Sequence, residues 1–562
     1  MMNPLGLRKS IRHLNRYQEI LKIFVKYGFW DVVEKIKIGL LFDISKKILP
    51  RMEKKEYAVL GTPVRLRMAF EELGPTFIKL GQMLSVRPDL IPPQIAQEFT
   101  KLQDEVAPVS FEKLKPLLEE TYSEDLLETF AEFEETALAA ASMAQVHRAR
   151  LKSGEDVAVK ILRPNIHQII KTDLEILFNL AELIAKYVPE SELYDPVGII
   201  TEFSRTIRKE QNLVLEGRNI DIFRRYLQKE EYIKIPVVYW EYSSEKILVT
   251  EFIQGIKISD LAALDAAEID RKQVAENGAK AILKQVFEFG LFHADPHPGN
   301  LFVLPGNVIV PVDFGMVGRI DEDMKEDLLN ILRGIVDKDS YRITRVLLNI
   351  GLIEDQINFR NLQHDLLDYL DRYYGVPLNQ LDTAQLLNEF MELVRNYRIK
   401  LPPDMVMMGK ALTISEAVGR ELDPEFNMFD LLIPYTKKMF YQRWNPAYHY
   451  RHLNRLLDAS IDLLKSLPED IRNILLKLKR DQITVRFQHQ GLEQFTRELD
   501  RSSNRISFAL IIAALIIGSS VVIQLDKGPF LWGYPALGII GYVLASFLGF
   551  WLIIAILRSG KL

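Results

Sequence analysis

Two stretches of this chain carry side chains at a spacing suited to handling a polyphosphate. The first is His293-Ala294-Asp295-Pro296-His297-Pro298-Gly299-Asn300, and Asp313-Phe314-Gly315 begins thirteen residues after Asn300. Phosphoryl transfer needs a carboxylate beside the attacking hydroxyl or water, and oxygen ligands for magnesium bridging the phosphates. Asp295 suits the base, and Asn300 and Asp313 suit the metal. A third element, Val157-Ala158-Val159-Lys160, ends an apolar run in a cation that can hold the α- and β-phosphates of ATP. His293 and His297 stand four apart, but Pro296 and Pro298 oppose the helix that would aim both rings at one zinc ion.

Stepping from these residues to what must position them, short β-type runs begin after residue 135. They cover Gln145–Leu151, Val157–Leu162, Ile235–Trp240, Ile247–Thr250, Leu301–Leu304 and Val308–Val312, with turn signals at Ser153-Gly154, Tyr242-Ser243-Ser244 and Pro305-Gly306-Asn307. Helical patterns lie between them at 166–187, 197–228 and 268–290, and the chain reads as nearly all helix from 321 to 500. A strand lysine, an H-x-D-x-x-x-x-N loop, a hairpin and D-F-G, in that order, form the pattern of a kinase catalytic core. The glycine-rich phosphate loop of kinases is replaced by Ala139-Ala140-Ala141-Ser142-Met143-Ala144-Gln145. Each alanine adds a Cβ and restricts φ, so nucleotide binding is expected to be altered. Kinases pair the strand lysine with a helix glutamate. Glu210 and Glu216 fall on one predicted helix, and Glu216 is the expected partner of Lys160. Glu251, after the strand Ile247–Thr250, falls where kinases have the hinge that meets adenine through its backbone. After Gly315 an acidic helical segment follows directly, without the A-P-E that helps to seat a peptide.

Composition narrows the chemistry further. At 562 residues the chain is long enough for several cores, with 48 % apolar and 26 % charged residues. It has no cysteine, which excludes disulfides, thiolate nucleophiles and iron–sulfur clusters held by this chain. Residues 1–56 are basic, and 7–30 read as a basic amphipathic helix that either lies on anionic lipid or packs on a neighbouring helix. The rest of the chain is acidic, so nucleic acid is not an expected partner. Ile506–Leu525 runs 20 residues without a charge and Phe530–Leu557 runs 28, each long enough to cross a bilayer. Asp526-Lys527-Gly528-Pro529 between them predicts a tight turn and a transmembrane hairpin. Arg501 and Arg505 before it, with Arg558 and Lys561 after it, predict a multi-pass membrane protein with both hairpin ends and the soluble part in the cytoplasm.

Taken together the chain resembles the UbiB/AarF family of atypical kinases, termed ADCK in animals. The marker is Lys79-Leu80-Gly81-Gln82, matching that family's K-x-G-Q. Ser85, Arg87-Pro88-Asp89-Leu90 and Leu102-Gln103-Asp104 stand around it, and Gly409-Lys410-Ala411-Leu412 and Leu422-Asp423-Pro424 through Asn427 follow downstream. The resemblance spans about residues 60–430 and extends to the C-terminal hairpin. It implies that Lys79 and Gln82 lie over the cleft and restrict access by protein substrates. It aligns Glu216 with the family's helix glutamate and Glu210 with the first residue of its E-x-D. Asn212 stands where the family usually has Asp, which removes a charge from any metal or nucleotide contact there.

The expected fold is α+β: a protein-kinase-like two-lobe fold with a helical N-terminal extension, a helical C-terminal region and a two-helix transmembrane hairpin. The expected domains are a basic helical region at 1–58, the extension at 59–130, the ATP-binding core at 131–345, the helical region at 346–500 and the hairpin at 506–557. The resemblance implies an ATP- and Mg2+-dependent kinase or ATPase supporting isoprenoid-quinone biosynthesis. Its partners would be a membrane lipid or polyprenyl intermediate and quinone-biosynthesis enzymes. Two alternatives stay open: a small-molecule phosphotransferase of the aminoglycoside or choline kinase type, and a nucleotide-binding pseudokinase scaffold.

Overall fold

The computed structural model describes residues 4–30, 60–443 and 492–558, apart from 86, 88–89, 103–106, 123–128, 188–194, 354–357, 374–382, 398, 525–528 and 533. Pro88, Asp89, Gln103, Asp104 and Lys561, and most of the expected turn Asp526–Pro529, thus lie outside the described residues. The chain divides into two compact units, Met1–Asn445 and Pro446–Leu562.

The first unit begins with helices α1 (Pro4–Lys26), α2 (Thr62–Leu73), α3 (Pro75–Ser85) and α4 (Pro93–Phe99). The break between α2 and α3 has a local cause. Gly74 takes φ +93°, open to glycine and strained for other residues, and its N–H donates to Phe70 O; Pro75 then starts the next helix without needing a donor. In α1, Ile20 and Ile23 are buried, as is Tyr27 just after it, and Phe24 meets Phe70 of α2 edge to face at 6.5 Å. Of the two readings of this amphipathic helix, its described part follows the second, packing on protein. Arg16 fixes the contact: its guanidinium donates to both carboxylate oxygens of Asp173 at 2.8 and 3.1 Å and to Leu73 O at 2.7 Å.

The small lobe follows. Helix α5 (Phe111–Tyr122) packs Leu114 and Leu118 onto an antiparallel sheet of β1 (Phe130–Phe133), β2 (Ala139–Ala140), β3 (Ala144–Leu151), β4 (Asp156–Leu162) and β5 (Ile247–Glu251). The spatial order is β1-β3-β4-β5, with β2 hairpinned onto β3. Helices α6 (Ile166–Tyr187), α7 (Pro196–Glu210) and α8 (Leu213–Leu227) lie between β4 and β5 in sequence. Two expectations are corrected here. The single helix expected over 197–228 is two helices, because the Asn212 side chain accepts from Val214 N at 3.0 Å and so caps a new one. The strand expected at Ile235–Trp240 is absent: the segment touches the sheet through one bridge, Val238 to Thr250, then turns into a 3-10 helix at Trp240–Tyr242. Pro236, which lacks a donor, suits an irregular edge rather than a ladder.

The large lobe is built on α9 (Leu261–Ala266) and α10 (Arg271–Lys284), the sheet β6 (Ile256–Lys257), β8 (Leu301–Leu304) and β9 (Val308–Pro311), and the pair β7 (Leu291–His293) with β10 (Val317–Arg319). Helices α11 (Glu322–Asp337), α12 (Ser340–Ile350), α13 (Phe359–Tyr373), α14 (Thr383–Asn396), α15 (Pro403–Leu422) and α16 (Met428–Arg443) complete it, with the short pair β11 (Leu352–Ile353) and β12 (Ile399–Lys400).

In the second unit, α17 (Leu492–Gln524) and α18 (Ala536–Arg558) are antiparallel partners. Ser502–Gln524 and Ala536–Ile553 are long and apolar enough to cross a membrane, and few of their side chains are buried. Gly541 and Gly538 make the close approach possible: a Cβ would stand 2.0 Å from Ser519 Oγ and 2.4 Å from Ile523, respectively. The second helix is shorter than its uncharged run, because Phe530–Leu531 (β13) and Tyr534–Pro535 (β14) pair as a hairpin before it starts.

Asp173 is 1 % exposed at its side chain, so losing Arg16 strands a buried carboxylate. Arg16→Met should cost about 3–5 kcal/mol of stability. Amide exchange in α1 should rise well above that in α10; unchanged protection of α1 would refute this role for the pair.

Candidate active site

Strand alternation sets the first residue of the site. Val157, Val159 and Ile161 point into the small-lobe core, and Ala158 and Lys160 point the other way into the cleft. Lys160 faces Val146 and Leu248 across the sheet, and these line the same cleft. Helix α8 comes close to β5 because Gly217 has no side chain: a Cβ there would stand 2.8 Å from the Trp240 ring and 3.0 Å from Leu248. This approach brings Glu216 to Lys160, Oε1 to Nζ, at 2.7 Å. Glu216 Oε1 also accepts from Phe314 N at 3.4 Å, and Asn219 Nδ2 donates to Phe314 O at 3.1 Å. The Phe314 ring is fully buried between Phe223, at 5.2 Å, and His293, at 5.4 Å. One helix thereby holds both the strand lysine and the Asp313-Phe314-Gly315 turn.

Asp313 completes the group, with Oδ2 at 3.6 Å from Lys160 Nζ and Oδ1 accepting from Gly315 N at 2.9 Å. Burial alone would raise its pKa; the charge of Lys160, the Gly315 hydrogen bond and the charge of Lys79 outweigh that and bring it to about 2. Burial pulls Lys160 down, but the charges of Asp313 and Glu216 and the Glu216 hydrogen bond raise it above the ordinary lysine range. Burial also raises Glu216, against the opposing pull of Lys160. The lysine therefore stays charged beside an ionised Asp313 at neutral pH.

The Asp295 loop hangs from β7, which pairs with β10 just after Asp313–Gly315; a Cβ on Gly318 would enter the Phe292 ring. His293 N donates to the buried Gln285 side chain at 3.0 Å. The His293 ring is a clamp between the two motifs. Its Nδ1 accepts from Asp295 N at 3.2 Å and its Nε2 meets Asp313 O at 2.5 Å, so the proton belongs on Nε2. Burial lowers its pKa below the ordinary 6.5, against the hydrogen bond and charge of Asp313. With both ring nitrogens engaged in the loop, His293 is not arranged for zinc. His297 N donates to Asp295 O at 2.7 Å, Asn300 N to His297 O at 2.9 Å, and Val312 N to Asn300 O at 3.0 Å. Asp295, Asn300 and Asp313 all line one cleft of about 2430 Å³, with Lys79, Gln82, Lys160, Glu216 and Glu251.

The expected nucleotide contacts divide into those that meet the cleft directly and those that frame it. Ala139, Ala140 and Ala141 line the cleft at the β2–β3 hairpin, where Ala141 N donates to Ala144 O at 2.8 Å and Arg163 Nε donates to Ala141 O at 2.8 Å. Ser142 is fully buried in that turn and is not a lining residue. Lys79 lies in the cleft from α3, its Nζ 3.5 Å from Glu210 Oε2. Gln82 Nε2 donates to Leu102 O at 3.2 Å, and Gly81 gives Leu102 room, since a Cβ would lie 2.2 Å from Leu102 Cδ1. Glu210 and Glu216 do not share a helix: Glu210 ends α7, and Asn212 between them serves as a cap and faces Glu245 at 3.4 Å. The Glu251 amide donates to Val237 O at 2.8 Å and its carboxylate pairs with Lys234. Its N–H is thus committed within the protein. One contact was not singled out as part of the site from sequence: Lys410 Nζ of α15 stands 3.5 Å from Asp295 Oδ1. Its signal was a lone cation within the largely apolar Met405–Ala411.

Metal fit follows from the donor set. Asp313 offers a carboxylate and Asn300 an amide oxygen, the hard oxygen ligands that magnesium prefers. The His293 assignment has a pH consequence. Because burial lowers the folded pKa of His293, its contribution to stability is complete above the unfolded value of 6.5 and is lost as pH falls from there through the lower folded value. Nitrogen NMR, assigned by difference with His293→Gln, should show His293 as a neutral Nε2–H ring at pH 6.5; half-protonation there would overturn the clamp.

Comparison with known proteins identifies the family. Residues 101–347 match the ABC1 atypical kinase-like domain, 366–427 the UbiB helical domain, and 490–558 the ABC1/UbiB kinase-like C-terminal domain. A protein from the hydrogenase 1 5' region of Clostridium pasteurianum is 35 % identical, covering 97 % of this chain and 99 % of its own. A probable protein kinase UbiB of Aeromonas hydrophila is 32 % identical over 94 % of this chain and 96 % of its own. The solved complex of Rv3197 with erythromycin, from Mycobacterium tuberculosis, aligns with 63 % of this chain and 90 % of that one at 24 % identity and a TM-score of 0.45. With the paired Lys160 and Glu216, the K-x-G-Q helix at the cleft and full-length relatives of this similarity, the chain belongs to the ABC1/UbiB family of atypical kinases.

Proposed function

We propose that this protein is a membrane-anchored kinase or ATPase that binds Mg-ATP and supports isoprenoid-quinone biosynthesis of the ubiquinone type, acting on or beside lipid intermediates rather than proteins. One observation carries the reading: the cleft that holds Lys160, Asp295 and Asp313 continues into a chamber lined by apolar side chains of the helical region, among them Leu332, Ile335, Tyr369, Leu386, Phe390 and Met405. At about 2430 Å³ it exceeds the roughly 300–1,000 Å³ of an ordinary ligand pocket. That leaves room for an apolar acceptor beside a nucleotide. The short passage from Gly315 through β10 to α11 supports a non-protein acceptor, since it provides no long segment to seat a peptide. The apolar helices α17 and α18 support the anchor.

In this reading Lys160 holds the α- and β-phosphates, with Glu216 fixing its position. Asp313 and Asn300 would hold magnesium, which would supply charge neutralisation for the transferred phosphoryl group. Asp295 takes the proton of the attacking hydroxyl or water, and the Asp313 carboxylate is ionised throughout the physiological range. The neutral His293 ring keeps the two acids in register through backbone bonds alone.

The test is phosphate release from ATP by the full-length protein in anionic liposomes, beside Asp295→Asn. Turnover that drops at least about 100-fold in the variant supports catalysis. Nucleotide binding with equal, negligible turnover in both proteins would leave the scaffold reading. The anchor is tested separately. The full chain should stay with liposomes through an alkaline carbonate wash, and deletion of 492–562 should release it; a full chain that washes off refutes a spanning hairpin.

A further inference from the structure

The catalytic loop poses an unsolved charge problem. Between Asp295 and Asn300 it contains no Lys or Arg, yet the γ-phosphoryl group must pass beside Asp295 with negative charge spread over its oxygens. Magnesium at Asp313 and Asn300 would offset part of that charge, and repulsion between the group and the carboxylate base calls for a further cation on the Asp295 side. Lys160 is bound to Glu216 and Asp313, and Lys79 to Glu210. Lys410, more than a hundred positions downstream in sequence, is the lysine paired with Asp295 itself.

Its placement is firm. Met408 and Ala411, on either side of Lys410, are buried in the same core as Phe292 and Ala294, the residues that carry the catalytic loop. The start of α15 is tied to β10, because Asp404 Oδ1 accepts from Arg319 N at 2.9 Å. The side chain is 29 % exposed and lines the cleft, so solute can reach the ammonium. At 3.5 Å from Oδ1 it is long for a hydrogen bond, so the flexible lysine stem holds the ammonium beside Asp295 without committing its donors to that carboxylate.

We infer that Lys410 is a catalytic residue that contacts the γ-phosphoryl oxygens and offsets their charge beside Asp295. The inference rests on the phosphoryl-transfer reading above. The nucleophile's oxygen forms a bond to phosphorus and its proton passes to Asp295. The bond from phosphorus to the β–γ bridging oxygen breaks, and its electron pair leaves with ADP. Lys410 transfers no proton; it lowers the charge repulsion along this path.

The experiment compares fluorescent ADP with a fluorescent non-hydrolysable ATP analogue, both with Mg2+, on full-length wild type, Lys410→Met and Lys410→Arg, and measures ATP turnover alongside. Lys410→Met should bind ADP within about twofold of wild type while its preference for the triphosphate analogue falls about tenfold or more. Turnover should fall with it, and Lys410→Arg should restore part of both. Normal ADP binding serves as the folding control. A triphosphate preference unchanged in Lys410→Met overturns the inference, even if turnover falls. If wild type turns over no ATP but the preference still drops in Lys410→Met, the contact stands and the catalytic reading of the protein fails instead.

Discussion

The ion pair between Lys160 and Glu216 is the constraint on which the rest of this structure depends. A lysine on a sheet and a glutamate on a helix, both largely out of water, are tolerable only when they meet, and removing either would cost about 3–5 kcal/mol. The pair forces α8 against β5, and Gly217 is what lets it come so near. Once α8 is there, Asn219 and Phe223 reach the turn after Asp313 and bury Phe314. Sheet, helix and the Asp313 turn are thus tied by this ion pair together with the contacts of Asn219 and Phe223. The extension joins the same arrangement by a parallel route, through Lys79 and Glu210 at the end of α7.

Much of this was legible from residue types. The apolar run ending in Lys160 marked the strand lysine, and the paired motifs around Asp295 and Asp313 implied the hairpin that the structure contains. The failures are equally specific. Residues 197–228 read as one helix because apolar periodicity runs through Gln211-Asn212; a cap is a local hydrogen bond that periodicity does not register. Ile235–Trp240 has strand-like composition, but a strand needs a free neighbouring edge and donors, and Pro236 offers none. The uncharged stretch after Phe530 overstated the second apolar helix, since hydropathy does not distinguish a helix from the hairpin before it.

Lys410 was quoted from sequence only as part of a family resemblance. Its one local signal, a lone cation in an apolar run, does not name its partner, because Asp295 lies far away in sequence and only the packing of α15 against the core beneath the Asp295 loop brings them together. The same reason explains the apolar chamber. Its walls come from helices that each look like ordinary amphipathic core helices, and the space between them belongs to tertiary structure.

That long-range dependence bears on how the protein is made. The cleft takes lysines from α3, β4 and α15, so a chain leaving the ribosome acquires the Asp295 loop well before the cation that faces it. Domains assemble from the N-terminus as they emerge. A nascent chain that has reached only α10 has its strand lysine and helix glutamate but neither the Asp295 loop nor α15. The cleft is thereby completed only once α15 has been made and packed against the Asp295 loop, and the apolar helices α17 and α18 come later still in the sequence.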